Sequence, residues 1–266
     1  MSDAIGVGHF VSWNGGAMFI SHADAVTPMH AHYALQIAFG SERGIRFRPS
    51  DREEWTEYDG VVIAPRQPHA MDASHVRYNA VLFVEPETRE GRALQERFDL
   101  RSGIVPLSPD LLAPVIPALF AAWLNERSVA AVTEAGQRVV RSLAGGVHPA
   151  AVSDERILRA IAYINSHLDG PLTLEEIARE GFLSPSRFRH LFVEETGMAL
   201  RPYILWRRFL RVWELTMAGE SLSAAAHRAG FADAAHLTRT SRRIFGFPPS
   251  ALRPAEPLRP VGRATT

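Results

Sequence analysis

The chain has 266 residues, 46% of them hydrophobic, with 29 basic and 29 acidic side chains and a formal net charge of zero. That length holds one large domain or two ordinary ones. It contains no run near the ~20 apolar residues of a membrane helix and no basic-then-apolar secretory signal at its start, so a soluble protein is expected; the absence of cysteine excludes disulfides and thiolate metal sites.

The zero net charge conceals an asymmetry. Residues 1–152 carry a net charge of −4, residues 153–253 carry +3 and the last 13 carry +1. Only the back half is therefore expected to meet phosphate. All basic residues are Arg, which reads first as compositional bias, although Arg also suits bidentate contacts to phosphate and guanine.

In chain order, residues 7 to about 85 read as short strands: Val7–Trp13, Met18–Ser21, Ala34–Phe39, Gly44–Phe47, Gly60–Ile63 and Tyr78–Val84. They alternate with turn sequences at Asn14-Gly15-Gly16, Ser41-Glu42 and Asp59-Gly60, and the run from Gly40 to Gly44 suggests a hairpin loop. Many short strands at this spacing predict a small barrel or sandwich. From Glu87 the period becomes helical, through Leu94 and Phe98, then Leu111 to Phe120, where Pro114 and Pro117 should interrupt the helix. Val129–Leu143 is a further helix, and such helices could cover the barrel or pair two subunits. The Gly- and Pro-containing stretch at 146–153 reads as a linker.

Beyond it the chain reads as wholly helical. Asp154–Leu168 shows Ile157, Ile161, Ile164 and Leu168 on one face with Ser153 as N-cap, and Asp169-Gly170-Pro171 stops it. Thr173 and Glu176 have capping-box spacing and start a helix that buries Leu174, Ile177 and Ala178. Gly181-Phe182-Leu183 turns the chain; Ser184 and Pro185 start a second helix with Phe188, Leu191 and Phe192 inward and Ser186, Arg187, Arg189 and His190 outward. This is a helix-turn-helix. The pattern repeats about 47 residues later, from Ser221 through Gly230-Phe231 to Asp233, with His236, Arg239, Arg242 and Arg243 on the outer face. A helix over Tyr203–Met217 joins the two units.

The runs Leu174-x-x-Ile177-Ala178, Ser184-Pro185-Ser186-x-Phe188, Leu191-Phe192 and Pro202-Tyr203 resemble the first unit of the AraC/XylS transcription regulators. Gly230-Phe231-x-Asp233, Arg239 and Phe245-Gly246-x-Pro248-Pro249-Ser250 resemble the second. The resemblance implies two units entering successive major-groove segments of double-stranded DNA. It places Ser186, Arg189, His190, His236 and Arg239 at base edges and Arg187, Arg208, Arg242 and Arg243 at phosphates. It further implies a homodimer that works with RNA polymerase in a bacterial cytoplasm. Ser241 and Leu237 stand where the family has buried Phe, which predicts a second unit that is looser or repacked.

In the front half, His30, His32, Ala34, Gln36 and Ala38 share one strand face, small and polar as a ligand cavity would be, while Tyr33, Leu35, Ile37 and Phe39 fill the other. His30, His32 and Gln36 resemble the first cupin motif, and Gly60 with Pro65 through His69 the second. Gln36 stands where metal-binding cupins have Glu. The reading taken is therefore an effector pocket of His30, His32, Gln36 and His69, with no cofactor and no metal.

The expected fold class is α+β: residues 1–86 a cupin-like effector domain, 87–145 a helical coupling and dimerisation segment, 146–153 a linker, 154–253 the DNA-binding domain and 254–266 a flexible tail. The function expected is regulation of transcription under a small-molecule effector. The rival readings are a metal-dependent cupin enzyme fused to a DNA-binding domain, and a constitutive, effector-blind DNA binder.

Overall fold

The structure, a computed structural model, describes residues 6–23, 25–42, 44–145 and 154–259. The linker 146–153 with Ser153, position 43 of the hairpin loop, and the tail beyond 259 lie outside the described residues. The architecture is α+β. Among the described residues nine strands come first: β1 (Gly6–Trp13), β2 (Gly16–Ala23), β3 (Thr27–His30), β4 (Leu35–Gly40), β5 (Ile45–Arg48), β6 (Thr56–Tyr58), β7 (Gly60–Ile63), β8 (His69–Asp72) and β9 (Asn79–Val84). Then follow α1 (Arg89–Arg97), β10 (Ile104–Pro106), α2 (Pro109–Leu112), α3 (Ile116–Ala121) and α4 (Val129–Ala144). Pro114 lies in the break between α2 and α3, while Pro117 stands in the first turn of α3, and a π-helical turn at Ala122–Glu126 ends with Arg127 in the left-handed region (φ 50°).

With β11 (Leu252–Pro254), the strands form a seven-stranded sheet in the order β10-β7-β4-β9-β2-β1-β11 and a four-stranded sheet in the order β3-β8-β5-β6. Alternation along β4 sorts its side chains. Leu35, Ile37 and Phe39 join Leu94, Leu119, Val132, Val139 and Leu143 in an outer core beneath the helices. The apolar stripe of α4 is thus spent on the sheet, and its outer surface carries Glu134 paired with Arg138 and Arg141. The stripe of α4 therefore covers the barrel. Tyr33 departs from the expected alternation: it lies in the two residues before β4 and packs on the inner side.

The helical half comprises α5 (Glu155–Ser166), α6 (Leu174–Glu180), α7 (Pro185–Thr196), α8 (Leu200–Met217), α9 (Leu222–Arg228) and α10 (Ala234–Phe245). Asp154 itself caps α5, accepting from the Arg156 N–H at 2.9 Å. This half shares one continuous core with the inner face of the barrel. Phe19 lies edge-on to Trp213 at 5.0 Å, and Phe83 meets both Trp206 and Phe245 at 5.7 Å. The inner face of the strands is therefore closed by α8 and α10.

The tail corrects an expectation. β11 (Leu252–Pro254) pairs in parallel with Gly6–Gly8 and adds an edge strand to the large sheet. His9 Nε2 donates to the Glu256 carbonyl at 2.9 Å, Leu258 is buried in the outer core, and Arg259 N–H donates to the Arg127 carbonyl at 2.7 Å. Residues 252–259 are stitched across the barrel. Three residues ending in Pro give no strand signal alone; the pairing comes from a partner almost 250 positions away.

Candidate functional site

The two helix-turn-helix units form as their capping residues direct. Thr173 and Glu176 complete a reciprocal capping box at α6. Ser184 accepts from Arg187 N–H at 3.3 Å, with Pro185 at the first helical position of α7. Ser221 and Asp233 cap α9 and α10 in the same way. At the turn before α10 only glycine fits: Gly230 has φ 77°, and a Cβ there would lie 2.2 Å from the Leu168 carbonyl.

Phe188, Leu191 and Phe192 are buried, which turns Ser186, Arg187, Arg189 and His190 to solvent on α7. On α10, Arg239, Arg242 and Arg243 are exposed, while His236 is half-buried, edge-on to Phe231 at 5.4 Å. Arg187, Arg189, Arg239, Arg242 and Arg243 make no ion pair with any described residue. By contrast, Arg207, Arg211 and Arg228 are paired with acids. Five guanidinium groups without an ion-pair partner among the described residues thus stand on the outward faces of α7 and α10.

Arg208 differs from its expected place. Its Nε donates to the Leu168 carbonyl at 3.0 Å and its Nη2 to the Gly170 carbonyl at 2.6 Å. Half-buried, it satisfies the orphan carbonyls beyond α5 instead of standing free for a phosphate. Ser241 also resolves: fully buried, its hydroxyl donates to the Phe247 carbonyl at 2.5 Å, while Leu237 is fully buried too. The second unit is repacked, with Phe245 stacked on Trp206 at 5.8 Å supplying aromatic contact.

In the barrel, the β3–β8 pairing sets His30 opposite His69, and His32 and Gln36 complete the cluster. One ring nitrogen of each histidine lies within 4.8 Å of the others. Every Nδ1 faces a backbone carbonyl: His30 to Pro28 at 2.8 Å, His32 to Ala34 at 2.9 Å and His69 to Gln67 at 2.9 Å. Burial lowers the His30 pKa to about 3 and the His32 pKa to about 4, and pushes His69 well below the usual range. Neutral rings of His32 and His69 that donate through Nδ1 turn bare Nε2 lone pairs toward Gln36 Oε1.

A cavity of about 50 Å³ adjoins the cluster, lined by Phe19, His30, Gln36, Phe83, Phe245 and Phe247 among others. Its roof belongs to the second helix-turn-helix. Gly246, at the end of α10, packs so closely that a Cβ would lie 2.7 Å from the Pro28 carbonyl and 3.4 Å from His30 Nδ1.

A second polar junction joins the barrel to α7 and α8. The Tyr33 hydroxyl lies 2.7 Å from both Glu87 Oε2 and the Thr196 carbonyl, which ends α7. Arg207 pairs with Glu85, Arg66 donates to the Gly197 carbonyl, and Arg92 donates to the Glu195 carbonyl at 2.8 Å. Burial, with the Glu85 carboxylate beside it, raises the Glu87 pKa to about 8. One hydroxyl proton cannot serve two acceptors; a protonated Glu87 donating to Tyr33, which donates to Thr196, satisfies all three. None of Tyr33, Glu85, Glu87, Trp206 or Arg207 was singled out as functional from sequence. The legible signal was α8 itself, whose Tyr203, Trp206, Phe209, Leu210 and Trp213 are more apolar surface than a spacer between two small units needs.

A helix-turn-helix domain family matches residues 177–255. The regulatory protein PocR of Salmonella typhimurium is 28% identical over 101 residues, which cover 38% of this chain and 33% of PocR. The multiple antibiotic resistance protein MarA of Escherichia coli is 32% identical over 92 residues, covering 34% of this chain and 72% of MarA. The chain belongs to the AraC family of DNA-binding transcription regulators. Its match spans only a third of PocR, so the membership rests on the helical half. The whole chain has the fold of ToxT from Vibrio cholerae: the apo structure matches with TM-score 0.54 at 11% identity, covering 90% of this chain and 97% of ToxT. A ToxT structure with bound unsaturated fatty acid matches with TM-score 0.52 at 12% identity, covering 90% of this chain and 93% of ToxT. Among the described residues no helix is long and apolar enough to cross a membrane.

Proposed function

We propose that this AraC-family regulator is switched by a small molecule bound between the barrel and the second helix-turn-helix. The observation that carries this reading is the roof of the cavity, where Phe245 and Phe247 of the DNA-binding half close over His30 and Gln36. At about 50 Å³ the cavity holds a few waters, whereas organic ligands occupy roughly 300–1,000 Å³. An organic effector entering here must displace Phe245 or Phe247, and with them α10. Differential fit between the two positions of α10 is what shifts the equilibrium. That ToxT, alike in fold, has been solved with a fatty acid supports a small-molecule effector.

On DNA, Arg189 and Arg239 are assigned to guanine edges, with Ser186, His190 and His236 as further base contacts. Arg187, Arg242 and Arg243 hold phosphates. Homodimerisation, contact with RNA polymerase and a cytoplasmic setting complete the reading on family membership alone. Regulation rather than catalysis is assigned because the relative PocR is a regulatory protein.

The test is a melting screen of the full chain against small-molecule panels, with affinity for genomic DNA fragments measured beside it. A true effector at 100 times its Kd adds about 2.7 kcal/mol of stability and changes DNA affinity. A panel-wide absence of both effects would favour the effector-blind reading. Separately, Arg242→Ala is expected to weaken binding to all sequences alike and to reduce the slope of log affinity against log salt by about 0.9; an unchanged slope would remove Arg242 from the phosphate contacts.

A further inference from the structure

We propose that His30, His32 and His69, with the Gln36 side-chain oxygen, reversibly bind one divalent transition-metal ion, and that this ion is an input to the second helix-turn-helix. The proposal deepens the reading of the barrel as a sensor by giving one ligand a chemical class.

The rings are pre-set as ligands. A metal-bound imidazole needs its second nitrogen held by a hydrogen bond that fixes tautomer and tilt. Here all three Nδ1 atoms already face backbone carbonyls, at Pro28, Ala34 and Gln67. The Nε2 atoms of His32 and His69 lie 2.7 Å and 3.3 Å from Gln36 Oε1. His30 adds the third ring, its centroid 4.3 Å from that of His69. A zinc ion with bonds of ~2.0–2.1 Å wants its ligand atoms about 3.4 Å apart. The ligand atoms stand within 4.8 Å of one another, so small ring rotations close the site.

With their Nδ1 atoms donating to the backbone, the neutral His32 and His69 rings turn Nε2 lone pairs on the lone pairs of Gln36 Oε1, with no proton between them. Two arrangements relieve the conflict. In the metal-free protein the Gln36 amide turns over, and its NH₂ donates to His32 and His69. In the loaded protein the oxygen faces inward beside the ion. A carboxylate could not serve the first state, because it has no proton to give. Glutamine at this place can therefore serve both states, as a reversible sensor requires. Imidazole nitrogen with amide oxygen suits zinc, nickel, cobalt or ferrous iron and not calcium or magnesium.

The link to DNA is a direct contact. Gly246 rests on the same Pro28 carbonyl that holds His30 Nδ1, and Phe245 lies over the His32 ring at 6.5 Å. Any rotation of His30 to meet an ion is felt at the end of α10.

The experiment uses the full chain without a histidine tag, stripped with chelator and titrated with zinc or cobalt by calorimetry. One equivalent is expected to bind, with cobalt giving the visible absorption of a tetrahedral nitrogen-rich site. His32→Gln and His69→Gln should each weaken binding at least about 100-fold, beyond the ~10–100-fold typical of losing an outer partner. Gln36→Glu should tighten binding about 10-fold or more, a gain that no folding defect can imitate. Hydrogen exchange on the wild-type protein should slow on metal addition at residues 28–32, 69–71 and 242–247. Absence of stoichiometric binding, or binding unaltered in both the histidine and Gln36→Glu variants, would overturn the site. Protection confined to the barrel would overturn the coupling to α10. Either result would leave the organic-effector screen standing as a separate test.

Discussion

Trp206→Ala is expected to destabilise the protein by about 3–5 kcal/mol. Its indole, 1% exposed, stacks on Phe245 at 5.8 Å and touches Phe83 at 5.7 Å, with Tyr33 at 6.4 Å and His32 at 6.3 Å. Barrel, junction and second helix-turn-helix all lean on this ring, and the rigid groups around it cannot collapse into the cavity. The indole N–H has no partner among the described residues, at a cost of about 1–3 kcal/mol. Trp206→Phe removes that cost with less volume and should lie within about 2 kcal/mol of wild type. Urea unfolding followed by circular dichroism reads both. The shared core also predicts one cooperative transition for the wild type and two for Trp206→Ala; a wild-type midpoint in the Ala variant would show that the halves do not depend on this contact.

Glu87 predicts a dependence on pH. Its carboxyl titrates near 4.5 when free and near 8 when folded. The folded state holds this proton more tightly, so the contribution of Glu87 is most favourable below pH 4.5, declines as pH rises to 8 and is constant above. Each unit of difference is worth about 1.4 kcal/mol. Between pH 6 and pH 8 the wild type should therefore lose about 2–3 kcal/mol through this group. Glu87→Gln, which keeps a donor for Tyr33, should abolish that loss and be the more stable protein at pH 8. Denaturant curves at the two pH values check it. Parallel losses in both proteins would mean that Glu87 is ionised in the folded state at pH 7. The junction reaches the end of α7 through Tyr33 and Thr196, so the same proton helps to hold the first recognition helix to the barrel.

Much of this was legible in the sequence because it is local. Caps, helical spacing and turn glycines place α6, α7, α9 and α10, and the same spacing decides which side chains of α7 face outward. Period-two alternation finds β1, β2, β4, β7 and β9. Alternation alone does not assemble the cluster: His30 ends β3, His32 lies in the loop after it, Gln36 is on β4 and His69 on β8, and it was the resemblance to the two cupin motifs that grouped them. Contacts with distant partners were not legible. β3 and β8 are four residues each, β3 contains a proline, and β11 acquires its identity only from β1. Arg208 looks like any outward Arg on a helix until the carbonyls of Leu168 and Gly170 are seen beside it. Ser241 looks like a lost aromatic residue until the Phe247 carbonyl is found on its hydroxyl. The docking of α8 and α10 onto the barrel matters most for function, and it depends on aromatic residues that a helix-turn-helix could have used for its own core.

The most direct test of a regulator that reads DNA through α7 and α10 is in vitro selection of DNA by the full chain and by Arg189→Ala. The wild type should enrich a site of two elements about one helical turn, ~10 base pairs, apart. Arg189→Ala should return the same site with one position degenerate, at a cost of about 1–3 kcal/mol confined to that base pair. An unenriched library, or an Arg189→Ala site identical to that of the wild type and bound more weakly throughout, would contradict the account.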